Sequence, residues 1–304
     1  MSSGGAEIAV WRDRIIVLSA LAVITALSWA YVSSLASGMQ DMGMEMAMPR
    51  MQPWSVTDFA MTFAMWAVMM VAMMTPSAAP MILVFVGINR RRQKQQVPYV
   101  PTGVFLLGYL VVWAAFSVLA TAAQWGLHAV SLLSPMAAST SPALGGILLL
   151  IAGIYQWTPL KHACLSKCRS PLGFILNEWR EGRRGAFLMG LKHGSYCTGC
   201  CWSLMALLFV AGVMNLLWVA AIAGLILLEK VAPAGHRIGQ AAGVLMVAGG
   251  VVLLGQALWG GMQPEMSPGT ESEPGMDFEP GMDSMWGSLV MNSQEDHQLV
   301  EKAE

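Results

Sequence analysis

Charge is what this 304-residue chain has least of: only 12% of its residues are Asp, Glu, Lys or Arg, where a soluble domain carries roughly 25%. With 56% hydrophobic residues, a water-soluble fold of this length has too little polar surface to cover itself, and a lipid bilayer is the solvent that fits. Cysteine is scarce too, at five residues, and an odd count argues against a pure disulfide framework. No phosphate-binding loop or nucleophile–base pattern stands out, so the chain is not expected to be an enzyme. Its basic residues are accounted for by membrane topology, which leaves nucleic-acid binding unsupported.

What is present is apolar length. A helix needs about 20 apolar residues to cross a bilayer, and seven stretches reach or approach this: 15–36, 56–88, 103–130, 143–157, 198–213, 216–228 and 238–259. The fifth and sixth are short, and the fifth has room to begin earlier, near Gly185. The second contains Pro76 and Pro80, which predict a kink. The expected fold is an all-α polytopic bundle of about seven spans. Arg12, Arg14, Arg90, Arg91, Arg92, Lys94, Lys230, Arg237 and the basic residues of 161–192 then fall on one side, leaving only Arg50 and Lys302 opposite. By the positive-inside rule the N-terminus is inside and the C-terminus outside, in a bacterial inner membrane. The expected organisation is a signal-anchor helix (1–36), a periplasmic Met-rich loop (37–55), a membrane domain (56–260) with a cytoplasmic Cys-containing loop (158–197), and a tail (261–304). The tail carries ten acids against one lysine and repeats Glu-Pro-Gly-Met-Asp. Such a segment builds no core and suits disorder or a partner, such as a copper chaperone or a larger membrane complex.

Methionine is the excess, with 25 residues. Met39, Met42, Met44, Met46, Met48 and Met51 crowd one short loop among Gln40, Asp41, Glu45 and Arg50, so lipid burial does not explain them. A thioether is a soft, uncharged donor that favours Cu(I); a flexible loop with chance enrichment is the bland alternative. In the second span Met61, Met65, Met69 and Met73 recur every fourth residue, drifting about 40° per step around the helix. Packing by an adaptable side chain explains such a row, and so does a thioether ladder, in which Met69 and Met73 would be ligands. The cysteines form two groups: Cys164 and Cys168, spaced to share a helix face, and Cys197, Cys200 and Cys201. On the cytoplasmic side thiols stay reduced, and two groups brought together would make a site for Cu(I), or alternatively Zn(II). Whether they form one site or two is open. His162 and His193 are nearby donors for which a surface role is expected, and Glu229 is expected to pair with a neighbouring base.

Four motifs carry a resemblance: Met69-Met70-Val71-Ala72-Met73-Met74-Thr75-Pro76-Ser77; Tyr155 to Lys161 running into Cys164 and Cys168-Arg169-Ser170-Pro171; Gly190 to Gly194 with Cys197-Thr198-Gly199-Cys200-Cys201-Trp202; and Gly212-Val213-Met214-Asn215 with Glu229-Lys230. Together they resemble the bacterial family catalogued as domain of unknown function twenty-one eighty-two, described as predicted metal-binding integral membrane proteins, over roughly residues 55–260. The resemblance implies metal binding, not transport. The expected function is Cu(I) trafficking or transport from outer methionines to inner cysteines. A structural or assembly subunit of a larger membrane complex, and a thiol redox protein, are the alternatives.

Overall fold

A computed structural model describes residues 3–42, 54–93, 95–96, 100–130 and 141–262, the side chains of 3–10, 39–42 and 260–262 excepted. The described residues form ten helices: α1 (Ser3–Met42), α2 (Val56–Gln93), α3 (Thr102–Ala129), α4 (Pro142–Tyr155), α5 (Pro159–Arg169), α6 (Pro171–Glu178), α7 (Gly182–Ala206), α8 (Leu208–Ala211), α9 (Leu216–Val231) and α10 (Gly235–Met262). The all-α bundle is the expected class. Of the outer methionines, Met39 and Met42 close α1 through their backbone, while Met44, Met46, Met48 and Met51 lie outside the described residues, as does the acidic tail.

Five described helical segments are long and apolar enough to cross a membrane: Trp11–Gly38, Val56–Gln93, Thr102–Ala129, Gly182–Ala211 and Gly235–Trp259. The α4–α5 pair, bent by 64°, makes a sixth if counted as one broken span. A helix stands at each of the seven expected stretches, but α4 has 14 residues and α9 has 16. At 1.5 Å per residue α9 is roughly 24 Å long, short of a hydrocarbon core of about 30 Å. The described helices therefore support five to six spans rather than seven. The outward faces carry bare apolar side chains, among them Leu119, Leu245 and Leu258, each about 70% exposed, as a lipid-facing surface permits.

Helix directions follow from the contacts. Arg90 of α2 pairs with Asp13 of α1, Asn89 donates to the carbonyl of Val100 at 2.5 Å, and Arg92 pairs with Glu181 just before α7. One end of the bundle thus collects the basic residues of α1, α2 and α7. At the other end Trp54 lies against His128, with ring centroids 5.8 Å apart. Between them Trp66 donates to Gln124 at 2.8 Å. Where α4 crosses α10, a Cβ on Gly146 or Gly153 would lie 3.0 or 2.9 Å from the carbonyls of Gly250 and Gly243, and the reverse distances are 2.9 and 3.1 Å. Small residues let two backbones meet this closely.

The segment 158–197, expected as a cytoplasmic loop, is mostly helix. Thr158 caps α5 by accepting from Lys161 N at 3.3 Å, and Pro159 opens it, where a missing N–H costs nothing. The fifth span begins at Gly182, as the longer of its two expected forms. α2 is one helix that contains both Pro76 and Pro80. Met65, Met69, Met70, Met73, Met74 and Met81 are all buried in the core, whereas Met61 is exposed. Met69 and Met73 share that core with Cys197, Cys200 and Cys201.

Candidate metal centre

Cys164 and Cys168 sit four residues apart on α5, so they share a face, and that face packs on α7. A Cβ on Gly199 would lie 2.9 Å from Cys164 Sγ, so the bare backbone at Gly199 is what admits the thiol. The Tyr155 hydroxyl donates to the Gly199 carbonyl at 2.5 Å, fixing the α4–α5 elbow against the same turn of α7. Cys168 is in polar contact with Cys197 and Cys200, and Cys201 with the same two. The two cysteine groups therefore converge on one locus. It lies well inside α7, rather than at the start of a span as the sequence suggested.

The thiols of α7 are dry. Cys197, Cys200 and Cys201 are at most 1% exposed, while Cys164 and Cys168 are half-buried, and all five are free. Cys200 and Cys201 donate to the Cys197 carbonyl at 3.1 and 3.0 Å. Cys197 Sγ takes a hydrogen bond from Lys230 Nζ at 3.0 Å and lies 3.2 Å from the Tyr109 hydroxyl. That hydroxyl also donates to the Met74 carbonyl at 3.2 Å, and Lys230 donates to Ser77 Oγ at 3.1 Å. The Thr75-Pro76-Ser77 turn of α2 is thereby tied to the cysteines. Among the described residues no three His, Cys, Asp or Glu side chains stand posed as a metal-binding group. Two of the α7 thiols are turned onto a backbone carbonyl and the third is engaged by an ammonium. Rotation about χ1 between staggered wells would free Cys200 and Cys201.

Residues 63–253 match the family described as PpoB2, copper chaperone. The chain belongs to this family. The match includes all five cysteines, Lys230 and Tyr109, and excludes the Met-rich loop and the tail. No curated protein and no solved structure matches the chain.

Three features of this copper chaperone family member escaped the sequence. Lys230, counted only among the charges of one side, is 7% exposed and faces a sulfur. His193, expected at the surface, is 2% exposed and stacks on Tyr109 with centroids 5.6 Å apart; its Nδ1 has no hydrogen-bond partner among the described residues. Tyr109 carried no sequence signal at all, whereas Glu229-Lys230, the only charges in α9, did mark that helix end. Glu229 pairs with a base as expected: Lys161 Nζ lies 2.7 Å away, both side chains are 2% exposed, and Lys161 also donates to Gln156. Arg169 donates to the carbonyls of Glu229, Ala232 and Pro233, closing the end of α9.

The Gly199 contact yields a local test. Gly199→Ala is expected to swing the Cys164 thiol aside at a cost of about 0.5–1.5 kcal/mol, that of an off-rotamer side chain. Maleimide labelling of Cys164 in the folded protein should accelerate while the melting temperature drops only slightly. Unaltered labelling would show that the contact is not made.

Proposed function

We propose that this copper chaperone family member is a multi-pass protein of the bacterial inner membrane that binds Cu(I) through its cysteine cluster and hands it on. The observation that carries the reading is the convergence of Cys164 and Cys168 on Cys197, Cys200 and Cys201 beside an ammonium, within a copper-related family. The resemblance to predicted metal-binding integral membrane proteins points the same way.

The donor chemistry fits. Thiolates are soft ligands that select Cu(I), and Cu(I) is content with two or three of them, which asks little rearrangement of five neighbouring thiols. Zn(II) requires a tetrahedral set of four and so a larger one. Buried in an apolar bundle, the sulfurs would be shielded from water, and exchange from one thiolate pair to the next moves the ion without releasing it. Met39, Met42, Met44, Met46, Met48 and Met51 serve in this reading as thioether donors for capture or release on the outer side. Met69 and Met73 are ladder ligands in the same scheme, and the acidic tail docks a partner.

The test is anaerobic Cu(I) titration of the full-length protein in detergent against a chromophoric chelator, with Cys197, Cys200 and Cys201 intact or all changed to Ser. Tight binding by the wild type and its loss in the triple variant is the expected result. Equal stoichiometry and affinity in both would overturn the assignment.

A further inference from the structure

The cations around the cysteines are unequally engaged. Lys161 is held by Glu229, Arg169 by the carbonyls that end α9, and Lys192 by Glu178 at 2.5 Å. Lys230 is different. Its ammonium is buried, makes no ion pair with a carboxylate among the described residues, and has Ser77 Oγ and Cys197 Sγ as its hydrogen-bond acceptors. A buried ammonium is costly unless a negative charge stands against it. Here the only group in hydrogen-bond contact that can carry one is a sulfur of the metal cluster.

We propose that Lys230 is a specificity-determining residue, a fixed counter-charge that makes the thiol cluster select a monovalent soft cation over a divalent one of the same coordination preference. This inference rests on the Cu(I)–thiolate reading above. The charge count is simple. Two cysteine sulfurs holding Cu(I) as thiolates, any thiol proton having left to solvent, form a complex of charge −1. Beside the Lys230 ammonium the locus is then neutral. Hg(II) is equally soft and takes two thiolates in the same linear fashion, but its complex is itself neutral, so the ammonium would be left buried and unbalanced. In water such a difference is screened. Among the side chains that bury Cys197, Cys200 and Cys201, charges a few ångströms apart interact many times more strongly.

Compared as two-thiolate complexes, Cu(I) and Hg(II) share their ligand type and differ in charge. The experiment measures both affinities by chelator competition on the full-length protein in detergent, for wild type, Lys230→Met and Lys230→Arg. Lys230→Met is expected to lower the Cu(I)-to-Hg(II) preference by at least about tenfold, and Lys230→Arg, which keeps the charge, to restore most of it. Should Lys230→Met not yield folded protein, Lys230→Gln is measured in its place. Equal loss for both metals, or no change in their ratio, would reduce Lys230 to a packing role and overturn the inference. Metal binding that survives the triple Cys→Ser change would instead overturn the reading beneath it, so the two failures are distinguishable.

Discussion

Glu229→Leu is expected to destabilise the protein by about 3–5 kcal/mol, the usual cost of stranding one partner of a buried ion pair. Glu229 and Lys161 are each 2% exposed and 2.7 Å apart, so removing the carboxylate leaves an ammonium whose one remaining hydrogen-bond partner among the described residues is Gln156. Attraction between the two charges does not make the pair a large net contributor, because both were taken out of water or headgroup to form it. The double variant Glu229→Leu with Lys161→Met should therefore recover most of the loss, since an apolar replacement of both partners is often neutral or stabilising. Thermal unfolding of the four proteins in one detergent gives the coupling directly. A double variant no more stable than Glu229→Leu alone would show that the pair is not an isolated buried couple. The pair also anchors the site: it joins α5, which carries Cys164 and Cys168, to α9, which carries Lys230. Glu229→Leu should consequently lower Cu(I) affinity, and the double variant should restore it along with stability.

This ion pair also explains why part of the fold was legible in the sequence and part was not. The long spans are written locally, as uninterrupted apolar residues, and α1, α2, α3 and α10 lie where hydropathy puts them. Helix α5 is written non-locally. Lys161, Lys167 and Arg169 make its segment read as a cytoplasmic loop; Lys161 pairs with Glu229, and Arg169 donates to the carbonyls at the end of α9. The start of α7 was obscured in the same way by Arg183, Arg184 and Lys192. The cysteine spacing correctly marked two same-face groups, yet nothing in it said whether the groups meet, because that depends on a 64° bend between α4 and α5. Lys230 was counted only among the charges of one side; it stands in the last turn of α9, a helix about four residues short of crossing a bilayer of ordinary thickness. The short helix is thus part of the site: it brings an ammonium to cysteines lying partway along α7.

Gly190→Ala is expected to be the most damaging single-methyl change in the bundle. Helices α3 and α7 run side by side, and a Cβ on Gly190 would be driven into the carbonyl oxygen of Phe105, as one on Gly108 would into that of Phe187. These neighbours are backbone, so no side-chain rotation relieves the clash and the helices must separate. Overpacking commonly costs 1–3 kcal/mol and occasionally more; with backbone on both sides we expect about 3 kcal/mol or above. The damage should reach the cysteine cluster, because the same contact sets Tyr109 against Cys197 and His193. Gly126→Ala is the control: it lies on α3 too, but nothing among the described residues stands within 4 Å of its added methyl. There the loss of glycine's freedom should leave stability unchanged or raise it by up to about 1 kcal/mol. Yield of monodisperse protein, melting temperature and Cu(I) affinity should all fall for Gly190→Ala and hold for Gly126→Ala. Similar values for the two variants would mean that α3 and α7 do not pack backbone to backbone, and would remove the wall on which Tyr109 and Cys197 are placed.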